Sequence, residues 1–256
     1  MNEYYSPIFL KAMTCAVVLF TSLIVWAQEQ QVDPKLTEDW SRQPEVVTPG
    51  ENGSAPSDAV VLFDGSDLSQ WAKNSGEPAG WKIVGDAMEV VPGTGAIMSK
   101  QSFGDCQLHI EWMTPMEDVA KGLKGQKNGN SGIFLMRRYE IQVLNSFENE
   151  TYYNGMAGSI YKQHIPLVNS TRQPGKWQTY DIFFTAPKFN SDKTLKEPGY
   201  VTVVLNGVLI QNHVELKGPT VFRGTPSYSY HEEKAPLLLQ DHSNKVRYRN
   251  IWIREL

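Results

Sequence analysis

The chain has 256 residues, 41% of them hydrophobic and 20% charged, enough for one large globular β domain or two small ones. Its 24 Lys and Arg residues against 28 Asp and Glu leave a net charge of −4. Without a basic excess, a nucleic-acid or anionic-membrane partner has no electrostatic footprint, and both are set aside.

The N-terminus sets the expected compartment. An apolar run from Ala16 to Trp26, broken only by Thr21 and Ser22, ends in Val25-Trp26-Ala27. That is the layout of a secretory signal peptide over residues 1–27, and the run is short for a membrane span. A retained membrane anchor is the alternative. Export implies a secreted or periplasmic protein with no membrane span in the mature chain. Cleavage after Ala27 removes Glu3, Lys11 and Cys15, so the charge stays at −4 and Cys106 is the one remaining cysteine. A lone thiol forms no internal disulfide, and Cys106 lies in an apolar-alternating run that points to a core position.

Residues 28–57 are rich in Gln, Glu, Pro, Gly and Ser and read as an extended leader. From there to residue 256 the texture is that of a single β domain, 58–256. Short β-branched and aromatic runs follow one another with no long 3.6-residue period. The expected strands are Val60–Phe63, Trp81–Val84, Ala87–Val91, Gln107–Thr114, Gly132–Met136 and Glu140–Leu144. They continue with Gly158–Tyr161, Gln178–Ala186, Tyr200–Leu205, Val208–His213, Pro236–Gln240 and Arg247–Arg254. Asn206-Gly207 is the strongest hairpin signal, because both central residues of a type I′ turn need φ > 0. Gly85-Asp86 reads as a second tight turn. Twelve short strands without intervening helices predict an all-β, two-sheet antiparallel sandwich.

Strand parity then picks out polar residues. In Glu140-Ile141-Gln142-Val143 the two polar residues share the face opposite Ile141 and Val143. In the run from Leu237, the residues Leu238, Gln240 and His242 share one face. If these outer faces adjoin, Glu140, Gln142, Gln240 and His242 form one polar wall suited to sugar hydroxyls. Solvent-facing strand positions are polar in any sandwich, so parity alone does not make the wall a site. The loop Asn128-Gly129-Asn130-Ser131-Gly132 suits close backbone approach. Tyr152, Tyr153, Tyr228 and Tyr230 lie in loop-like segments where a ring could stack on a sugar. The five histidines show no helical i, i+4 metal spacing, and no G-x-S-x-G, P-loop or Rossmann motif is present.

Several stretches resemble the 3-keto-disaccharide hydrolase family of bacteria. They are VLFDGSDLSQW at Val61–Trp71, NSGIFLMRRYEIQVLNS at Asn130–Ser146 and GSIYKQHIPLVNSTRQPGKWQTYDI at Gly158–Ile182, followed by VTVVLNGVLIQN at Val201–Asn212 and PLLLQDHSNKVRYRNIWIREL at Pro236–Leu256. The resemblance implies a concanavalin A-like jelly roll acting on glycosides whose C3 hydroxyl is oxidised to a ketone. Such a ketone acidifies the C2 proton. Its removal, β-elimination of the C1 substituent and addition of water give net hydrolysis. The reaction needs a base near C2 and donors, or a divalent cation, near O3.

Carried onto this chain, Glu140 and His242 are the candidates for base and acid. Gln142, Gln240 and Arg249 would orient hydroxyls or stabilise the oxyanion, with Arg247 able to take the place of Arg249. Asn130 and Ser131 would line the mouth. A structural ion pair with Arg137 or Arg138 is the competing account of Glu140. Two other functions fit a sugar-binding sandwich. One is a non-catalytic, lectin-like module. The other is a conventional glycoside hydrolase, which needs a second carboxylate such as Asp241 or Glu111.

Overall fold

The computed structural model describes residues 33–256. The expected signal peptide, residues 1–27, lies outside the described residues. The chain divides into two compact units at Val46/Val47. In the first, the described part from Asp33 onward holds one 3-10 turn, Pro34–Thr37, capped by Asp33 Oδ1 accepting from Lys35 N. Val47–Leu256 is the second unit, so the latter part of the leader belongs with the β domain.

Fifteen strands are described. They begin with β1 (Val60–Phe63), β2 (Trp71–Lys73), β3 (Lys82–Val84), β4 (Ala87–Glu89) and β5 (Ile97–Phe103). Next come β6 (Cys106–Met113), β7 (Ser131–Leu135), β8 (Tyr139–Val143), β9 (Gln178–Thr185) and β10 (Lys188–Phe189). The last are β11 (Leu195–Glu197), β12 (Tyr200–Leu205), β13 (Val208–Glu215), β14 (Ala235–Leu239) and β15 (Arg247–Glu255). One short helix, α1 (Met116–Ala120), follows β6. An eight-stranded sheet runs β13-β12-β9-β6-β15-β4-β3, with β1 also paired to β15. A five-stranded sheet runs β2-β5-β14-β7-β8, and β10-β11 is a separate hairpin. The pairings are antiparallel, as expected for a sandwich. Among the described residues no helix is long and apolar enough to cross a membrane.

The two expected turns form as their residues dictate. Asn206 and Gly207 take φ of 54° and 81° between β12 and β13, and Gly85 takes 65° between β3 and β4. Between the sheets lies one hydrophobic core, bridged by hydrogen-bonded tyrosines. Tyr180 on β9 donates to Gln142 O on β8 at 2.9 Å, and Tyr248 on β15 donates to Ser131 Oγ on β7 at 2.7 Å. Each bond spans the two sheets, and a buried hydroxyl left unpaired would be destabilising. Cys106 is buried there, and burial pushes its thiol up to about 12, which makes it an inert core residue.

The expected strand set needs correction in both directions: one expected strand is absent, and β2, β5, β10 and β11 were not expected. Gly158–Tyr161 is not a strand: Ile160 makes only isolated bridges to Ile141 and His164. The chain turns there, with Gly158 at φ 76° and Lys162 at 59°. Conversely, β5 carries a polar run, Ser99-Lys100-Gln101-Ser102, that hides its alternation. Ser99 is nonetheless buried, because its hydroxyl donates to Gln101 O and accepts from Leu237 N. A polar side chain satisfied this way can occupy a core position without an apolar signature.

Candidate active site

The outer face of the five-stranded sheet carries two cross-strand rows. Met98 on β5, Leu238 on β14, Phe134 on β7 and Glu140 on β8 are successive register partners. One step along, Gly132 pairs with Gln142, and Gln240 N continues the ladder by donating to Gly132 O. Met98, Leu238 and Phe134 are half-buried rather than covered, so an apolar strip leads to the carboxyl.

Glu140 is 5% exposed, and burial raises its pKa to about 8. Among the described residues no donor hydrogen-bonds its carboxyl, and desolvation alone sets the shift. The competing ion pair is not made. Arg137 donates to Asn74 Oδ1 and Arg138 to Met136 O. Gly132 makes the room Glu140 uses. A Cβ at that position would stand 2.6 Å from Glu140 Oε1 and 2.7 Å from Phe134 Cε2.

Beside Glu140 sits a cluster of amides. Gln142 Nε2 donates to Asn130 Oδ1 at 3.2 Å and to Gln126 Oε1 at 3.3 Å, and Asn130 Nδ2 donates to Gln126 O at 2.8 Å. Asn130 is set in place from behind: its N–H donates to Asn244 Oδ1, and Asn244 Nδ2 donates to the buried Asp118. Gln142 and Asn130 are buried, so they clamp the 125–130 segment onto the sheet edge. Gln240 is half-buried with its Oε1 unpaired. Tyr161 also belongs here, its hydroxyl 2.7 Å from that of Tyr152; burial, Tyr152 and the Glu140 charge all raise its pKa. Sequence reasoning did not single out Gln126 or Tyr161. Gln126 sits in a 3-10 turn and Tyr161 in the misread strand, so neither carried a periodic signal.

Of the sequence-expected residues, the structure brings Glu140, Gln142, Asn130 and Gln240 together. The other three stand elsewhere. Ser131 does not line a mouth: it faces the core, donating to Gln240 O and accepting from Tyr248. Parity explains this, since Ser131 pairs with core-facing Val143. His242 is exposed, and no hydrogen bond joins it to Glu140. Strand β14 stops at Leu239, so the alternation that placed His242 beside Gln240 has already ended. Asp241 instead closes a turn by accepting from Gly93, Gly95 and Ser243 N–H groups.

Arg249 lies on the outer face of the other sheet, across the core from Glu140. It donates to Glu111 and Asp86, both at 2.7 Å, and stacks over Trp177 at 4.2 Å. Arg247 shares that face and pairs with Glu89. Nearby, Asn250 Nδ2 and Trp252 Nε1 donate to Gly53 O, which holds the leader across this sheet. A cavity of about 450 Å³ lies here, lined in part by Glu111, Arg249 and Asn250. Arg249 occupies Glu111 and Asp86, and Asp64 accepts from Ser66. Among the described residues, no group of three or more His, Cys, Asp or Glu side chains is arranged to hold a metal ion.

Of the loop tyrosines, Tyr152 and Tyr153 are exposed, 41% and 71%, with Tyr152 beside Tyr161. Tyr228 is structural, its hydroxyl donating to Leu216 O and accepting from Gly199 N.

Comparison with solved structures agrees with this architecture. A crystal structure described as a candidate glycosyl hydrolase from Parabacteroides distasonis ATCC 8503 is 45% identical, with a TM-score of 0.83 over 88% of this chain and 97% of that one. A second from the same organism, similarly described, is 19% identical with a TM-score of 0.54, over 77% of this chain and 94% of that one; it shows the shared fold alone. No curated protein matches the sequence. Residues 58–254 match the model of the 3-keto-alpha-glucoside-1,2-lyase-like domain, and the chain therefore belongs to the 3-keto-disaccharide hydrolase family, with a carbohydrate-active, hydrolase-like sandwich.

Proposed function

We propose that the protein cleaves 3-keto-glycosides, with Glu140 as the base that removes the C2 proton. The observation that carries this reading is the buried, unpartnered carboxyl of Glu140, held near pKa 8 on a half-open face. A base must be deprotonated near working pH and still basic enough to take a proton, and desolvation provides that balance. The C3 ketone makes the C2–H bond acidic. Glu140 takes the proton, the electron pair forms the C1=C2 bond, and the C1–O bond breaks with release of the aglycone. Water then adds across C1=C2 to give the free 3-keto sugar.

Negative charge develops on O3 during the first step. The Nε2 of Gln240, on the same face as Glu140, is the donor assigned to it; a divalent cation brought in with the substrate is the other stabiliser the chemistry allows. His242 stands on an exposed turn, so the proton for the departing oxygen is assigned to the Glu140 carboxylic acid formed in the first step. The apolar strip of Met98, Leu238 and Phe134 suits the C–H face of a pyranose. Export through the N-terminal segment, read from residues 1–27 alone, would place this reaction in the periplasm or outside the cell.

The test is release of aglycone from a glucoside and from its 3-keto counterpart. Turnover of the 3-keto compound alone is the expected result. Equal turnover of both would return the protein to conventional glycoside hydrolysis. That reading lacks structural support, because Glu111 lies on the opposite sheet and Asp241 caps the backbone of Gly93 and Gly95. Binding without any turnover would make it a lectin-like module.

A further inference from the structure

Tyr161 extends the row of Met98, Leu238, Phe134 and Glu140 beyond the last strand of the five-stranded sheet. Its N–H donates to Glu140 O at 3.2 Å, and the preceding Ile160 bridges Ile141 in antiparallel register. Ile160 and Ile141 are both part of the buried core, so alternation puts Tyr161 on the outer face with Glu140. Neighbouring chains of a sheet lie about 5 Å apart, which sets the Tyr161 side chain alongside the carboxyl. Burial, the bond to Tyr152 and the Glu140 charge, in that order, hold its pKa well above the ordinary tyrosine value. The hydroxyl therefore keeps its proton and serves as a donor rather than a base.

That hydroxyl stands 2.7 Å from the hydroxyl of Tyr152, and among the described residues neither has another hydrogen-bond partner. One of the pair donates to the other, which leaves a single O–H free on a half-open face. With Tyr152 as the donor within the pair, the free hydrogen is that of Tyr161. The next residue, Lys162, holds a φ of 59° and donates to Phe222 O at 2.7 Å. So anchored, its ammonium stands 5.7 Å from the Tyr152 ring and 5.8 Å from the Tyr161 ring. A cation over a phenol ring draws on its π-density and makes the hydroxyl a stronger donor.

In a pyranose, C1 and C3 are the two ring carbons bonded to C2, so their oxygens lie to either side of a base placed at C2. Gln240 continues the outer face on the β14 side of Glu140, and Tyr161 continues it on the opposite, edge side. A ring with O3 toward Gln240 therefore turns O1 toward Tyr161. We propose that Tyr161 donates a hydrogen bond to the departing oxygen on C1, with the Tyr152 hydroxyl orienting it. As the C1–O bond breaks, its electron pair stays on that oxygen. The Tyr161 O–H remains intact and takes up part of the charge. The proton that finally neutralises the oxygen is the one Glu140 removed from C2. The proposal rests on the reading of Glu140 given above and adds a donor to it.

The experiment measures kcat/KM for phenyl and p-nitrophenyl 3-keto-glucosides, both anomers, in the wild type, Tyr161→Phe and Tyr152→Phe. The two rings are similar in size, but phenolate leaves poorly and needs a donor, whereas p-nitrophenolate leaves well without one. Tyr161→Phe should slow the phenyl compound about 10²-fold and the p-nitrophenyl compound about 10-fold or less. Tyr152→Phe should shift the same ratio in the same direction by about 5-fold, and it decides the matter should Tyr161→Phe fail to fold. Phenylalanine keeps each ring in place, and thermal denaturation checks that the fold is kept. Equal losses on both substrates would assign Tyr161 to structure or to the step at C2, and would overturn the proposal. Wild-type protein inactive on both 3-keto compounds would remove the Glu140 reading and this one with it. A wild type active on them, with a ratio that ignores the substitutions, would remove this one alone.

Discussion

The outer faces of the two sheets each carry a glutamate, Glu111 on the central strand β6 and Glu140 on the edge strand β8, and they treat it in opposite ways. Glu111, on the eight-stranded sheet, is pushed up by burial, but hydrogen bonds from Asn250 and Arg249 and the His109 ring 4.0 Å away together hold it down to about 2. Glu140, on the five-stranded sheet, is buried as well and receives none among the described residues, so it rises to about 8. The contrast teaches that burial marks neither residue as functional. What distinguishes Glu140 is the missing partner, since a paired carboxylate is stabilised in its charged form and becomes a poor base.

The comparison breaks most visibly under amide substitution. Glu140→Gln should lower turnover of a 3-keto-glucoside by ~10²–10⁴ while leaving the melting temperature equal or higher. Glu111→Gln should do the reverse, lowering the melting temperature and sparing the rate per folded molecule. Aglycone release and thermal denaturation on the same samples check both. Identical behaviour of the two variants would remove Glu140 from the site.

Gly132→Ala should come next. Its Cβ would meet Glu140 Oε1 and Phe134, forcing the carboxyl aside at a cost of about 1–3 kcal/mol. Activity should fall further than the loss of folded protein explains. Retained activity would show that the carboxyl need not lie over Gly132.

Arg249→Ala sharpens the other half of the contrast. It strips one donor from Glu111 and should lower stability by about 1–3 kcal/mol, measured by urea unfolding, with turnover unchanged. A selective loss of turnover would bring Arg249 back to the substrate.

The smallest effects are in pH. Folded Glu140 keeps its proton between about pH 4.5 and 8 while the unfolded chain loses it, so stability falls as pH rises through that window. His109 is pulled down by burial, yet Asp181 at 2.7 Å and Glu111 carry it up to about 9. Its contribution is complete below 6.5 and is lost as pH rises through 9. Unfolding midpoints against pH should therefore flatten between 4.5 and 8 in Glu140→Gln, and between 6.5 and 9 in Asp181→Asn. A Glu140→Gln profile with the wild-type slope would show that the carboxyl is not held near pKa 8.

Much of this was legible in the residues. Turn chemistry at Asn206-Gly207 and the sides taken by successive residues in Glu140–Val143 are local properties, and both hold in the structure, although all four of those residues are buried. The pairing of Glu140, Gln142 and Gln240 on one face followed from parity plus the adjacency of β8, β7 and β14. Parity failed where it was carried past the end of an element, at His242. The reading also missed Ser131 and Ser99, where a satisfied hydroxyl stands in for an apolar side chain at a core position.

Alone, the sequence determined the β texture, the turns and the side of its own strand on which each residue stands, because those depend on neighbours a few positions away. Only the tertiary structure decided that Arg249 and Glu140 face opposite ways across the core, since parity does not say to which sheet a strand belongs. It also decided that Arg249, Asn250 and His109 would gather on Glu111 while Glu140 was left without a donor among the described residues. Desolvation and hydrogen bonding arise from segments far apart in the chain, and they separate two chemically identical side chains into a structural anion and a candidate base.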